Sequence, residues 1–336
     1  MADLKLTFAS WNYDRVRALA DGSVKPEGIE LTCLNLFPGE TFQRMVRHQE
    51  FDVAEMGFKN YVHALDSGNA PFIAIPVYPV RLFLHSAIFV NRNRGIVSPN
   101  DLIGKRIGEL FSFGHDAAIW ARGILSDDYG VPANSATYVV GPLEASRRRD
   151  WVPFQPPPDI RVEQIGPGRS LDAMLEAGEI DALYSAIVPP SVLNGSNIVG
   201  RLFENYESVE RDYYKRTGVF PIVHLVVIRK AIYKLQPWVA QSLYQAFKAA
   251  KSEAEKLYAS QAANMHRLFM TPWLTAHQEE NRKLMGEDFW PYGLEPNRKA
   301  LDLFLRYHHE QGLSKRRFTP DELFAPEALV DYARFS

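Results

Sequence analysis

Arg81, His85 and Ser86 stand close together, just ahead of the apolar, β-branched run Ala87–Asn91. A guanidinium is a planar fork that holds a carboxylate with two parallel hydrogen bonds. An imidazole exchanges a proton near neutral pH. A carboxylate clamp beside a proton donor is the minimum equipment for chemistry on a small organic acid. The i, i+4 spacing puts Arg81 and His85 on one face of a helix. In an extended chain the even spacing also keeps them on one side, with Ser86 turned to the backbone.

Other residues could join them. His224 lies inside the apolar run Ile222–Val227, where an imidazole must find a partner. It is either a structural histidine or a second catalytic one. Arg15, next to Tyr13 in a polar turn, is a second candidate for holding an acidic group. Glu55 and Glu109 both follow apolar strands, and either could orient a histidine. His115 and Asp116 are adjacent and reach a site from a loop. His85, His115 and His224 with Glu109 or Asp116 keep a divalent metal open as a Lewis acid. No H-E-x-x-H spacing is present, nor a glycine-rich nucleotide loop, so the reading needs no cofactor. His308 and His309 read as solvent-facing on a polar helix.

These residues need a scaffold. Leu4–Ala9, Ile29–Leu36, Phe51–Met56 and Phe72–Val77 read as strands, with helices around Val16–Leu19, Thr41–His48 and Asn60–Leu65 between them. Alternation of this kind makes a mostly parallel sheet covered by helices. Ligands then bind beyond the carboxyl ends of the strands. Four segments fall there: Tyr13–Arg15, Glu55–Lys59, Arg81–Ser86 and Glu109–Asp116. Near Asn91 the texture changes. Lys105–Gly108 opens a new strand, Ala117–Leu125 a helix, Ser170–Ala177 a helix capped by Ser170, and Glu179–Tyr184 a strand. Phe220–Arg229 is a further strand, and Pro237 to about Phe269 forms one long amphipathic helix or two. Arg147–Arg149 and the proline run at Val152–Pro158 read as loops.

The chain therefore leaves a first lobe near Ala87–Asn91 and returns near Pro221–Arg229. Residues 1–88 and 222–336 form one lobe and 89–221 the other, with the site expected in a cleft between them. The length of 336 residues fits two lobes. Charge is balanced, 38 Lys and Arg against 40 Asp and Glu, which leaves no field for nucleic acid or an anionic membrane. The single cysteine, Cys33, rules out an internal disulfide and reads as a buried strand thiol rather than a nucleophile. No targeting or membrane-crossing stretch is seen, so the expected compartment is the cytoplasm. A homo-oligomer built on the C-terminal helices stays open.

Several stretches carry a resemblance in order: Tyr13–Arg15, Pro71–Val77 with Arg81, His85–Ser86 to Asn91, and Asp101–Gly108. Trp120–Leu125, Gly178–Ala182 and Arg216–His224 continue it. Together they resemble the 4,5-dihydroxyphthalate decarboxylase family, over most of Met1 to about Lys251. The resemblance implies an α/β, type 2 periplasmic-binding-protein-like fold with mixed sheets and a helical C-terminal extension. It also implies a carboxy-lyase acting on a hydroxylated aromatic acid. Under it Arg81 becomes the carboxylate clamp and His224 a cleft residue beside His85. The chain departs from the family's pattern at Leu84, where relatives tend to carry arginine, and at Lys59, where they tend to carry a small hydroxyl residue. The loop Glu109–Asp116 also differs. These departures bear on the substrate rather than on the fold. The alternatives are a non-catalytic binding protein for a small organic acid, a dehydratase, or a pyrimidine-precursor synthase on the same fold.

Overall fold

A computed structural model describes residues 3–145, 156–264 and 268–330. The loops expected at 147–149 and 152–155 lie outside the described residues. In chain order the elements are β1 (Leu4–Ser10), α1 (Asp14–Ala20), β2 (Ile29–Asn35), α2 (Pro38–His48), β3 (Val53–Gly57), α3 (Phe58–Asp66) and β4 (Phe72–Arg81). Next come β5 (Ile88–Asn91), β6 (Arg106–Leu110), α4 (Asp116–Tyr129), β7 (Thr137–Gly141), β8 (Arg161–Gln164), α5 (Leu171–Glu176), β9 (Ala182–Tyr184), α6 (Pro190–Leu193), β10 (Val199–Arg201) and α7 (Tyr206–Thr217). The chain closes with β11 (Ile222–Arg229), α8 (Lys230–Leu235), α9 (Trp238–Ala263), α10 (Leu274–Met285) and α11 (Arg298–Glu310).

Packing divides the chain into two units. Unit 1 is Met1–Arg81, His224–Leu301 and Thr319–Ser336; unit 2 is Leu82–Val223 and Asp302–Phe318. The division differs from the sequence reading at 82–88, at 222–223 and at 302–318, which all fall in unit 2. Local bonds explain the shift. Leu82 N–H donates to Pro221 O and Ser86 N–H to Glu210 Oε1. Phe304 and Tyr307 pack against Trp120 of α4.

Unit 1 holds a five-stranded sheet in the order β2-β1-β3-β11-β4. β1 pairs in parallel with β2 and β3, whereas β11 runs antiparallel to β3. Because β3 sits in the middle, all five of its residues are buried, as for a strand covered on both faces. α2 starts with Pro38 in its first turn, where the missing N–H costs nothing, and ends with Arg47 and His48 near its negative pole. Half-buried Cys33 lies on β2.

Unit 2 holds a six-stranded sheet in the order β10-β5-β9-β6-β7-β8. β9, β6, β7 and β8 run parallel, while β5 is antiparallel to both β9 and β10. Strands β7, β8 and β10 escape the sequence reading because they are short and polar-flanked. α4 buries every residue from Ala117 to Leu125, so it is a core helix rather than an amphipathic cover. Gly123 lets it press against Tyr307, since a Cβ there would overlap that ring. Ser170 caps α5 as its sequence indicates, accepting from Ala173 N–H. His308 corrects the solvent-facing reading: it is fully buried, with Nδ1 3.2 Å from Ser314 Oγ. Its neighbour His309 reaches the Ser314 carbonyl.

Candidate active site

Glu55 lies midway along β3 and is completely buried. A carboxylate in such a place is costly unless hydrogen bonds replace its lost water. Four donors do so. Ser10 Oγ (2.9 Å) and the Trp11 N–H (3.3 Å) meet Oε2, while Tyr13 OH (2.8 Å) and His224 Nδ1 (2.6 Å) meet Oε1. The register explains the convergence. Ala9 pairs with Ala54, so the carboxyl end of β1 and the turn after it abut Glu55. Val226 pairs with Glu55, and His224 lies two residues away on the same face, a diagonal neighbour across the antiparallel pair.

The electrostatics follow from this packing. Burial pushes the Glu55 carboxyl upward, but His224 and the hydroxyls of Tyr13 and Ser10 outweigh it and hold the group below the usual carboxylate range. Burial and the adjacent Glu55 charge drive Tyr13 far above the usual phenol value, so its hydroxyl remains a donor. Since an ionised carboxylate only accepts, His224 Nδ1 carries the proton toward Glu55 and Nε2 is the nitrogen left for chemistry. The edge of Phe42 braces the imidazole, with ring centroids 4.9 Å apart. The His224 side chain keeps 15% of its surface exposed. A buried carboxylate that orients a partly exposed imidazole is the arrangement of a general acid–base pair.

Arg15, in the first turn of α1 after Tyr13, is one candidate cation. Its guanidinium lies between the Tyr13 and Trp290 rings, 4.4 Å from each centroid. Nη1 pairs with Asp14 at 3.0 Å, and Nε and Nη2 donate to Pro79 O. Arg15 is therefore a fixed positive charge rather than an open fork. It also lines a groove of about 660 Å³ with Asp14, Lys251, Tyr258, Gln278 and Trp290. Lys59 is buried in the first turn of α3, just beyond Gly57, the residue paired with His224.

Unit 2 contains a second carboxylate–histidine pair. Glu109 of β6 is fully buried and accepts from Arg122 Nη1 and from the N–H groups of Gly114 and His115. His115 Nδ1 stands 3.4 Å from Glu109 Oε1. Burial raises the Glu109 carboxyl, but the Arg122 charge and His115 overcome it and hold it low. Arg122, buried in α4, stacks over Phe113 (4.3 Å) and donates from Nε to Gln311 Oε1 (2.8 Å). Asp116 is the first residue of α4, with His115 as its cap position.

The expected convergence of Arg81 and His85 is corrected. Arg81 ends β4 in unit 1, buried, with Nη2 donating to Pro291 O (2.7 Å) and Asn297 Oδ1. His85 lies in a 3-10 turn of unit 2, buried among Tyr129, Phe203 and Tyr213 at 5.1 to 6.2 Å between centroids. Neither ring nitrogen has a partner among the described residues, and burial pushes the imidazole down to about 4. It is a neutral core residue. Ser86 is spent on the same turn, its N–H on Glu210 and its hydroxyl 3.5 Å from Phe83 O. Even spacing fails as a guide here because between Arg81 and His85 the chain leaves β4 and enters a short 3-10 turn, so neither an α-helical nor an extended period holds across the two residues. Ser10, Trp11, Phe42 and Arg122 escape the sequence reading. For Arg122 the signal was a lone charge in the otherwise apolar middle of a helix. Among the described residues, none of His85, His115 or His224 belongs to a cluster of three side chains spaced to hold a metal. No described helix is long and apolar enough to cross a membrane.

Two mixed sheets flanked by helices make this an α/β protein with a periplasmic-binding-protein-like fold. The periplasmic aliphatic sulphonate binding protein SsuA from Escherichia coli superposes with a TM-score of 0.53 at 13% identity, over 97% of this chain and 98% of that one. No family model matches the sequence. A 4,5-dihydroxyphthalate decarboxylase from Comamonas testosteroni is 35% identical over 332 residues, 99% of each chain. One from Pseudomonas putida is 34% identical over 215 residues, 64% of this chain and 83% of that one. The chain belongs to the 4,5-dihydroxyphthalate decarboxylase family.

Proposed function

We propose that this protein is a carboxy-lyase that removes carbon dioxide from a small hydroxylated aromatic acid of the 4,5-dihydroxyphthalate type, with His224 and Glu55 as its proton-handling pair. The observation that carries the assignment of the pair is the 2.6 Å bond from His224 Nδ1 to the buried Glu55 carboxylate, beside the turn that follows β1 in unit 1. Family membership supports the reaction class. The fold alone would not, because it also serves sulphonate binding in the Escherichia coli protein.

The chemistry needs a proton at the ring carbon that bears the carboxylate. His224 Nε2–H gives that proton, while a ring hydroxyl ortho or para to the carbon feeds electron density into the ring. The C–C bond to the carboxylate then breaks. Its electron pair returns to the ring, aromaticity is restored, and carbon dioxide departs. One proton is consumed overall, and solvent resupplies His224. Glu55 stays ionised and stabilises the imidazolium before transfer; Tyr13 and Ser10 keep it in place. A positioned general acid of this kind contributes about 10² to 10⁴ in rate. Arg15, fixed beside Tyr13, contributes positive charge toward the substrate carboxylates, a role moved here from Arg81. The steps use only protein side chains, and no cofactor enters the proposal. With one cysteine the fold needs no disulfide, which suits the cytoplasm as the proposed compartment.

The test is incubation with 4,5-dihydroxyphthalate and a panel of hydroxybenzoic acids, with released carbon dioxide measured. Release with formation of the ring lacking one carboxylate is expected. Tight binding of these acids with no turnover of any of them would overturn the proposal in favour of a receptor.

A further inference from the structure

Trp11 follows the last residue of β1, at the edge where Glu55 and His224 meet. The residue is 48% exposed, a large aromatic side chain to leave in water. The side chain is nevertheless held on two sides. The Tyr13 ring meets it edge-on at 5.9 Å and the Phe37 ring at 5.5 Å. Its backbone is fixed too, since the Trp11 N–H donates to Glu55 and its carbonyl accepts from Ser10 Oγ. The neighbouring aromatic surfaces are already occupied: Arg15 covers the Tyr13 face and Phe42 braces His224. Trp11 is thus a braced ring whose surface remains open, tied through one peptide N–H to the carboxylate that orients His224. Among the described residues its indole N–H has no hydrogen-bond acceptor.

We propose that Trp11 is the aromatic platform of the substrate site, stacking on the ring of the acid and setting the preference for planar aromatic over aliphatic acids. This rests on the placement of the site at Glu55 and His224. A flat, electron-rich indole gains by offset stacking on a ring that carries electron-withdrawing carboxylates. Pre-ordering by Tyr13 and Phe37 removes the entropy that a mobile side chain would lose on binding. Stacking is made equally in the bound substrate and in the transition state, so its loss should fall on KM rather than on kcat.

The experiment compares wild type with Trp11→Ala and Trp11→Phe, using 4,5-dihydroxyphthalate as substrate and the aliphatic diacid succinate as a non-aromatic competitor. Trp11→Ala should raise KM about ten-fold and leave kcat within about two-fold, while Trp11→Phe should recover most of the loss. Succinate inhibition should be unchanged in both variants. In His224→Gln, where turnover is suppressed, 4,5-dihydroxyphthalate should quench intrinsic fluorescence, and the further exchange Trp11→Phe should abolish that change. Unaltered KM in Trp11→Ala, or quenching that survives Trp11→Phe, would overturn the platform while leaving the decarboxylase reading intact. Trp11-dependent quenching in a wild-type protein that turns over no acid would leave the platform standing and remove the decarboxylase.

Discussion

His85 should behave as a pH-sensitive liability of unit 2 rather than as a catalyst, and His85→Phe isolates that property. Its ring is buried among Tyr129, Phe203 and Tyr213 with both nitrogens unpartnered among the described residues. Burial holds it neutral down to about 4, against about 6.5 in the unfolded chain. The unfolded state therefore binds the proton first as pH falls, and stability drops through the window between those values. From about pH 7.5 to about pH 4.5 this single group should cost about 2 to 3 kcal/mol. Phenylalanine fills the aromatic box without titrating. At neutral pH its removal of two unsatisfied nitrogens and its extra bulk each change stability by about 1 to 3 kcal/mol with opposite sign, so the pH dependence is the cleaner readout. Urea unfolding of both proteins across this range should show the stability difference moving by about 2 to 3 kcal/mol in favour of the variant at the acid end. Turnover at neutral pH should stay within about two-fold of wild type. A pH-independent difference between the two proteins would refute the buried neutral histidine, and a turnover loss of about 10² or more would return His85 to the chemistry.

Glu55→Gln keeps an acceptor for His224 Nδ1 but removes the charge that balances the imidazolium; steady-state kinetics should show kcat lower by about one to two powers of ten, with KM little changed. Gly123→Ala places a methyl group into the Tyr307 ring, and thermal unfolding should report a loss of about 1 to 3 kcal/mol with normal kcat in the folded fraction. Because the proposed steps use only side chains, dialysis against a strong chelator should leave the decarboxylation rate unaltered; loss with recovery on adding a divalent cation would require Lewis-acid chemistry.

Strand–helix alternation made the first sheet readable, because each of β1 to β4 is an apolar or alternating run that leads into a turn or helix. The boundary between units was harder, since it depends on where Phe304 and Tyr307 pack, far in sequence from Trp120. In the site, His224 stood out as a polar group inside an apolar run, and Glu55 as an acid at the end of one. Their pairing was not legible, because it depends on the antiparallel register of β11 against β3, which periodicity does not encode. Arg81 misled for the opposite reason. A guanidinium at a strand end looks like a clamp until Pro291 and Asn297, more than 200 residues away, are seen to occupy it. His85 misled because local spacing says nothing about Phe203 and Tyr213 closing over it.

The most direct measurement of the account is the turnover of His224→Gln with 4,5-dihydroxyphthalate, against wild type and in the same buffer. Glutamine retains a polar amide but cannot deliver the proton, so kcat should fall by about 10² to 10⁴ while KM changes by less than about three-fold. A variant that releases carbon dioxide at the wild-type rate would contradict the assignment of the Glu55-held imidazole as the proton donor.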